Sequence, residues 1–357
     1  MSKSGKYTIV GVMSGTSQDG LDIAICEFVA INHNFNYAII KAATIPYSAE
    51  QKNKLRSIPY LNVENYFKLN HQFGKFIGKE VAKFIAGSEE KPAAVASHGH
   101  TVFHQPQKGY STQIGCGATI AAHSGLTTVC DFRSMDVALN GQGAPLVPVG
   151  DKLLFGQYKS CLNIGGIANI SFEKNNSRIA FDICFANMAL NYFAQLAGSD
   201  YDENGNWAKQ GNFNKDLFDA LNNLSFFKIK TAKSIGREYF EDEFLHTILK
   251  SKLPVNDVLN TVVNHIAFQI GTVLNENNLD DVFITGGGAN NTFLIEALKK
   301  YYSGKIIIPD ATTINFKEAL IFAFLGYLRL NEQTKTLSSV TGAKQNSIGG
   351  AVYLNKI

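Results

Sequence analysis

The chain has 357 residues, of which 45% are hydrophobic and 18% charged, the composition of a globular protein long enough for two domains. Its formal net charge is +3, and lysines such as Lys52, Lys54, Lys299 and Lys300 are scattered among acidic residues, so no basic stripe points to nucleic acid. The apolar run 7–12 is too short for a signal-peptide core or a membrane span, which leaves a cytoplasmic protein with no membrane partner as the expectation. Strands are expected at 7–12, 21–29 and 37–45. A helix follows over 63–86, where Tyr66, Phe67, Leu69, Phe73, Phe76 and Ile77 recur at helical spacing. Next come a strand at 93–97, a small-residue helix at 117–124 and a strand at 127–132. The second half repeats the order, with strands at 160–164, 168–172 and 178–183 and a helix at 187–197. A polar, helix-poor stretch between 199 and 253 reads as an insertion. Beyond it lie a helix at 258–276, a strand at 281–285, a helix at 292–301, a strand at 305–308 and a helix at 316–330.

Two successive β-β-β-α-β-α units predict duplicated α/β domains, 1–135 and 136–357, facing each other across a cleft, with the insertion near 199–253 in the second. The five cysteines, Cys26, Cys116, Cys130, Cys161 and Cys184, are odd in number and none has a C-x-x-C partner. Reduced, mostly buried thiols are therefore expected in place of a disulfide framework or zinc site.

Three loops carry phosphate-binding character. Met13-Ser14-Gly15-Thr16-Ser17-Gln18-Asp19-Gly20 joins the first two strands, and its glycines and hydroxyls let backbone N–H groups approach a phosphate. Asp19 and Asp22 can hold Mg²⁺ through water or bind a substrate hydroxyl. Asn163-Ile164-Gly165-Gly166-Ile167-Ala168-Asn169 takes the same place in the second half, so the paired turns could clamp one polyphosphate. Gly286-Gly287-Gly288-Ala289-Asn290-Asn291 lies between a strand and a helix, a natural nucleotide corner. A dinucleotide reading would put Asp310 on a ribose, yet Asn291 stands where Gly or Ala is required. No G-x-x-x-x-G-K-[ST] occurs, which excludes a P-loop.

Asp182 closes an apolar strand, where it can act as a general base or serve the following helix as an N-terminal carboxylate. Glu318 reads as a first-turn carboxylate that complements a helix dipole. His98, His100 and His104 include a His-x-His pair that would put two imidazoles on one strand face and invite a metal hydrolase. No Asp or Glu stands nearby, and Gly99 with Thr101 suits a substrate-lining turn, so no metal site is assigned. Arg133 can grip an anionic substrate group or pair with Asp131 or Asp136.

In order along the chain, 11–17, Asp19-Gly20, Ser97-His98-Gly99, Asp131-Phe132-Arg133, 141–146, 163–169, Ser234, 236–240, 286–289, Glu318-Ala319 and 339–343 resemble the anhydro-N-acetylmuramic acid kinase family over nearly the whole length. The resemblance implies an actin/hexokinase-like (ribonuclease H-like) α/β fold, ATP with Mg²⁺, and a homodimer. The implied reaction converts 1,6-anhydro-N-acetylmuramic acid, ATP and water into N-acetylmuramic acid 6-phosphate and ADP, a step of cell-wall recycling. Carried across, Gly15, Thr16, Ser17, Gln18, Asp19, Gly20, Leu21 and Asp22 cradle ATP phosphates with Gly165, Gly166 and Asn169. Gly286, Gly287 and Gly288 lie by the adenosine. Asp182 matches the catalytic base, Glu318 positions water or sugar, and Ser97, His98, Gly99 and Arg133 meet the substrate, Arg133 at its lactyl carboxylate. Ile183-Cys184-Phe185-Ala186 stands where the family has Thr-Gly-Pro-Gly, His100 where it favours Gln and Cys116 where it favours Asp. The bulk of Phe185 in place of glycine-rich backbone raises the alternative of a catalytically impaired nucleotide-binding homologue acting as sensor or partner.

Overall fold

Alternation along the first strand sets up a sheet covered on both faces. In β1 (Lys6–Ser14), Ile9 and Gly11 turn to one side and Val10 and Val12 to the other, all of them buried. A strand that is apolar on both sides needs a layer of helices over each. The computed structural model describes residues 5–15, 19–31, 34–229 and 233–355.

β2 (Gly20–Ile31) and β3 (Asn34–Pro46) continue from β1 as an antiparallel meander. β4 (Ala94–Gln105) lies parallel to β1 on its other side, β5 (Tyr110–Ile114) hairpins back on β4, and β6 (Thr127–Cys130) runs parallel to β4. The second sheet holds β7 (Ser160–Ile164), β8 (Ile167–Lys174), β9 (Ser177–Phe185), β10 (Asp281–Thr285) and β11 (Lys305–Ile307), in the order β11-β10-β7-β8-β9. β12 (Ala351–Tyr353) returns to the first sheet, antiparallel to β6. Without the additions β5 and β12, each sheet has the order third-second-first-fourth-fifth, with the first three strands antiparallel and the last two parallel to the first. This repeated order is the duplicated, actin/hexokinase-like α/β fold expected from the sequence.

The chain forms two compact units, residues 1–155 with 316–357, and residues 156–315. In the first, Val10, Val12, Leu21, Ile23 and Ile25 pack with Phe73, Ile77 and Val81 of the helix Val63–Ile85. The opposite face of that sheet meets the helix Ala311–Leu330, where Phe28 lies 5.3 Å from Phe324 and Tyr7 5.3 Å from Tyr327 between ring centroids. In the second, Leu162, Ile164 and Ile170 pack with Val262, Ile266 and Ile270 of the helix Val255–Glu276.

Several sequence readings are corrected. The stretch 199–253 is not helix-poor. It holds the helices Asn206–Gln210, Lys215–Asn222 and His246–Lys250 and a π-helical segment Phe240–Leu245, whose Leu217, Leu221, Phe244 and Ile248 belong to the second unit's core. The strand expected at 93–97 runs on to Gln105 because β5 pairs with its polar end. The helix expected at 316–330 begins at Ala311, and Asp310 caps it by accepting from Thr313 N at 3.0 Å and Thr313 Oγ1 at 2.8 Å. Glu318 is therefore two turns inside the helix and has no dipole role. Among the described residues, no helix is long and apolar enough to cross a membrane. All five cysteines are free thiols.

Close approach of β1 to the helix Ala311–Leu330 depends on Gly11. A Cβ at this position would collide with the backbone carbonyl of Ala319, the residue after Glu318, and sit 3.0 Å from Ala323 Cβ. Gly11→Ala is expected to lower stability by about 2 kcal/mol or more, read as a fall in the thermal midpoint, because a helix backbone cannot yield as a side chain does.

Candidate active site

In the first unit, the candidate side chains gather where β1, β2, β4 and the helix Ala311–Leu330 come together. Arg133 follows β6 and donates from Nη1 to the Gly143 carbonyl at 2.6 Å, and from Nε and Nη2 to His98 Nε2 at 3.2 and 2.9 Å. A guanidinium can only donate, so His98 Nε2 is bare and Nδ1 carries the proton, which it donates to the Gly99 carbonyl at 3.0 Å. His98 is buried, and burial together with the charge of Arg133 holds its pKa well below the usual histidine range. It is a neutral prop for Arg133, whose own pKa burial lowers to about 10. Asp131 and Asp136, the partners considered for Arg133, are engaged elsewhere. Asp131 Oδ1 accepts from Ser134 Oγ, and Asp136 accepts from Gly143 N and Thr341 Oγ1.

The expectation that His98 and His100 share a face is overturned. Gly99 has φ of +73°, and β1 pairs Val12 with Ser97 but Ser14 with His100, a bulge that resets the alternation. His98 turns to Phe322, 4.6 Å between centroids, while His100 turns to Ser14 Oγ at 2.9 Å from Nδ1 and to Phe73. His104 is bonded to Ser111. Among the described residues, no group of three or more His, Cys, Asp or Glu could hold a metal ion.

Asp22 Oδ1 accepts from Thr44 Oγ1 at 2.5 Å, and burial raises its pKa against that bond. Glu318 keeps solvent-accessible surface, yet the protein around it raises its pKa. The carboxylate of Asp22 adds to the rise, while Lys317 and Arg133 oppose it. Lys317 is itself held in a buried ion pair with Asp151 at 2.8 Å. Asp22, Glu318, Arg133 and His98 thus form one electrostatic group.

The residues expected to form a phosphate loop sit beside this group. Tyr47 ties both ends of the loop: its hydroxyl donates to Ser14 Oγ at 2.7 Å and its N–H to the Asp19 carbonyl at 3.3 Å. Thr16, Ser17 and Gln18 lie outside the described residues. Gly15 is half-buried and Asp19 exposed, whereas Gly20 is buried and the Leu21 side chain is part of the core. Ser97 is buried, and its Oγ accepts from Gly99 N at 3.2 Å. Beneath Arg133, the fully buried Lys335 donates to the Phe132 carbonyl at 2.7 Å, and burial pushes its pKa down to about 7.

In the second unit, Asp182 sits at a bulge in β9. Asn169 pairs with Asp182 and Ala168 with Cys184, so Ile183 is the extra residue. Asp182 Oδ2 accepts from Ser234 Oγ at 2.9 Å and from Ile235 N at 3.0 Å. Burial raises the carboxyl pKa, and these two donors oppose the rise. The β7–β8 turn faces the start of the helix Asn187–Leu196: the Gly166 carbonyl accepts from Ala186 N and Met188 N, and that of Gly165 from Asn187 N. Asn187 Nδ2 donates to the Ile164 carbonyl at 3.2 Å. Gly286 packs on Asn163 and Ile164, Gly288 on Ile164, and the exposed Gly287 has only Asn187 Nδ2 near its Cβ position, at 3.5 Å.

The family described as "Anhydro-N-acetylmuramic acid kinase" matches residues 7–355. The chain belongs to the anhydro-N-acetylmuramic acid kinase family. It is 34% identical over 362 residues to the anhydro-N-acetylmuramic acid kinase of Legionella pneumophila (strain Paris), covering 96% of this chain and 97% of that one. It is 36% identical over 369 residues to the kinase of the same name from Pasteurella multocida (strain Pm70), covering 98% of each. Among solved structures, a ROK hexokinase from Thermus thermophilus is similar at a TM-score of 0.41 and 9% identity, covering 90% of this chain and 99% of that chain.

Where the segment Ile183–Ala186 departs from the family pattern, its side chains turn into the core. Its four side chains are 0–1% exposed, and Phe185 packs in an aromatic cluster with Tyr239, Phe240 and Phe244. Sequence reasoning missed Tyr47, Lys335 and the Ile235 N–H. Tyr47 directly follows Pro46 at the end of β3, a weak signal. Nothing in the polar run around Lys335 marks it.

Proposed function

We propose that the chain is an ATP-dependent kinase that opens 1,6-anhydro-N-acetylmuramic acid with water and phosphorylates it, yielding N-acetylmuramic acid 6-phosphate and ADP. The match of residues 7–355 to the family carries this reading, and Asp182 supplies the chemistry. Asp182 takes a proton from the water that attacks the anomeric carbon. As the bond from that carbon to O6 breaks, O6 takes the γ-phosphoryl group, so no carboxylic acid is needed to protonate the leaving oxygen. Gly15 to Asp22, Gly165, Gly166, Asn169 and Gly286 to Gly288 are the residues proposed for ATP, with backbone N–H groups neutralising phosphoryl charge. Mg²⁺ would supply further neutralisation there. Asp19 and Asp22 offer the oxygen donors it takes, and the like charges of Asp22 and Glu318 form a field that a cation relieves.

Arg133 keeps two of its five N–H donors uncommitted among the described residues, enough for a bidentate grip on the lactyl carboxylate. Glu318, Ser97, His98 and Gly99 complete the proposed sugar-binding set. The setting is cell-wall recycling in the cytoplasm, with the protein acting as a homodimer. The impaired-homologue reading loses its ground, since Phe185 is core. Incubation with the anhydro sugar, ATP and ¹⁸O-water is expected to give the 6-phosphate carrying one label on the anomeric oxygen. A chain that forms no 6-phosphate, or forms it without label, does not carry out this reaction.

A further inference from the structure

Resting on the reading of Asp182 as general base, we propose that Ser234 is a positioning residue that fixes which oxygen of this carboxylate takes the proton. Ser234 Oγ and Ile235 N both donate to Oδ2, at 2.9 and 3.0 Å, and Asp182 N in turn donates to the Lys233 carbonyl at 2.9 Å. Residues 233–235 therefore run alongside β9 at its bulge and grip Asp182 by main chain and side chain together. With two donors on Oδ2, that oxygen is satisfied, and Oδ1 has no partner among the described residues. The base is left with one basic oxygen in a fixed direction. Ser234 is exposed, so its hydroxyl has no packing role to explain its orientation.

The charged neighbour is Lys233, whose ammonium acts on the Cys184 thiol beside Asp182. Asn169 faces Asp182 from β8 and is neutral, and the Cys184 thiol on β9 is pushed up by burial. Lys233 donates Nζ to the Phe226 carbonyl at 3.1 Å and sits 4.3 Å over the Phe226 ring. Ser234 and the Ile235 N–H are thus the groups that hold down a carboxyl pKa that burial raises. The sign follows: a base works only when unprotonated, so losing the Ser234 donor raises its pKa and moves the acidic limb of the kcat profile to higher pH.

Ser234→Ala is expected to lower kcat about tenfold with an unchanged KM for ATP, and to move the acidic limb upward, as loss of one hydrogen bond to a charged group predicts. Ser234→Thr, which keeps a hydroxyl, is expected to restore both. A Ser234→Ala protein with parental kcat and parental acidic limb overturns the proposal, and so does a folded Ser234→Thr protein that behaves like alanine. The carboxyl titration of Asp182, followed by ¹³C NMR and assigned with Asp182→Asn, reads the same contact without turnover. An upward shift in Ser234→Ala supports the positioning role even if the anhydro sugar proves the wrong substrate, and no shift overturns it.

Discussion

Asp182→Asn is expected to leave a folded protein whose kcat falls about 10³-fold, within the range a positioned general base contributes. Asparagine keeps the shape of the side chain and one carbonyl oxygen, which can still accept from Ser234 Oγ and Ile235 N. The substitution removes the negative charge and little else, so the loss reports proton abstraction and leaves ATP affinity near that of the parent. Stability should move the other way. Burial raises the folded pKa of Asp182, which means the folded chain binds its proton more tightly than the unfolded one. Between the unfolded and folded pKa values stability therefore falls as pH rises, and above both the ionised carboxylate is a fixed cost. Asp182→Asn lifts that cost, and its thermal midpoint at neutral pH is expected to equal or exceed the parent's. A variant that loses activity and melts earlier would mean that Asp182 holds the strand together, and the catalytic assignment would lose its support.

The parts of the molecule legible in the sequence were those written in local pattern. Both three-strand meanders showed themselves as apolar runs, each opening with a glycine-bearing turn, and the repeat of that pattern pointed to the duplicated fold. What escaped depends on register or on distance along the chain. The bulge at Gly99 separates His98 from His100, and it exists because β1 and β4 pair out of step by one residue, which no periodicity within 97–104 reveals. Glu318 looked like a helix start because the two turns before it, from Ala311, mix β-branched Thr312, Thr313 and Ile314 with Asn315 and show no apolar run; the cap that reveals them is Asp310 on Thr313. The helices within 199–253 are short, and their few apolar residues acquire meaning only against the helix Val255–Glu276. Asp182 could be flagged from its place at the end of an apolar run, but its donors come from 52 and 53 residues away. Lys335 reaches Phe132 across 203 residues, and a lysine in a polar run carries no sign that it will be buried.

Phe185→Ala is expected to be the most destabilising single change among those considered, costing about 3–5 kcal/mol and lowering the thermal midpoint by about 10 °C. The ring is 0% exposed and lies 5.1 Å from both Phe240 and Phe244 and 6.5 Å from Tyr239, all between centroids. Truncation would leave a cavity walled by aromatic rings, which collapse poorly because each is held by the others. The position also explains how this chain dispenses with the glycine-rich segment of its family. β9 resumes pairing after its bulge and runs through Phe185, and the backbone beyond it is secured by the Gly165 and Gly166 carbonyls, so packing fixes the path that glycines would otherwise allow. Activity of Phe185→Ala well below its midpoint should therefore fall far less than that of Asp182→Asn, since the ring is buried among other aromatic rings. Phe185→Leu, which refills most of the cavity, is expected to recover more than half of the lost stability. A Phe185→Ala protein that melts with the parent but has lost turnover would reverse the assignment and return this side chain to the active site.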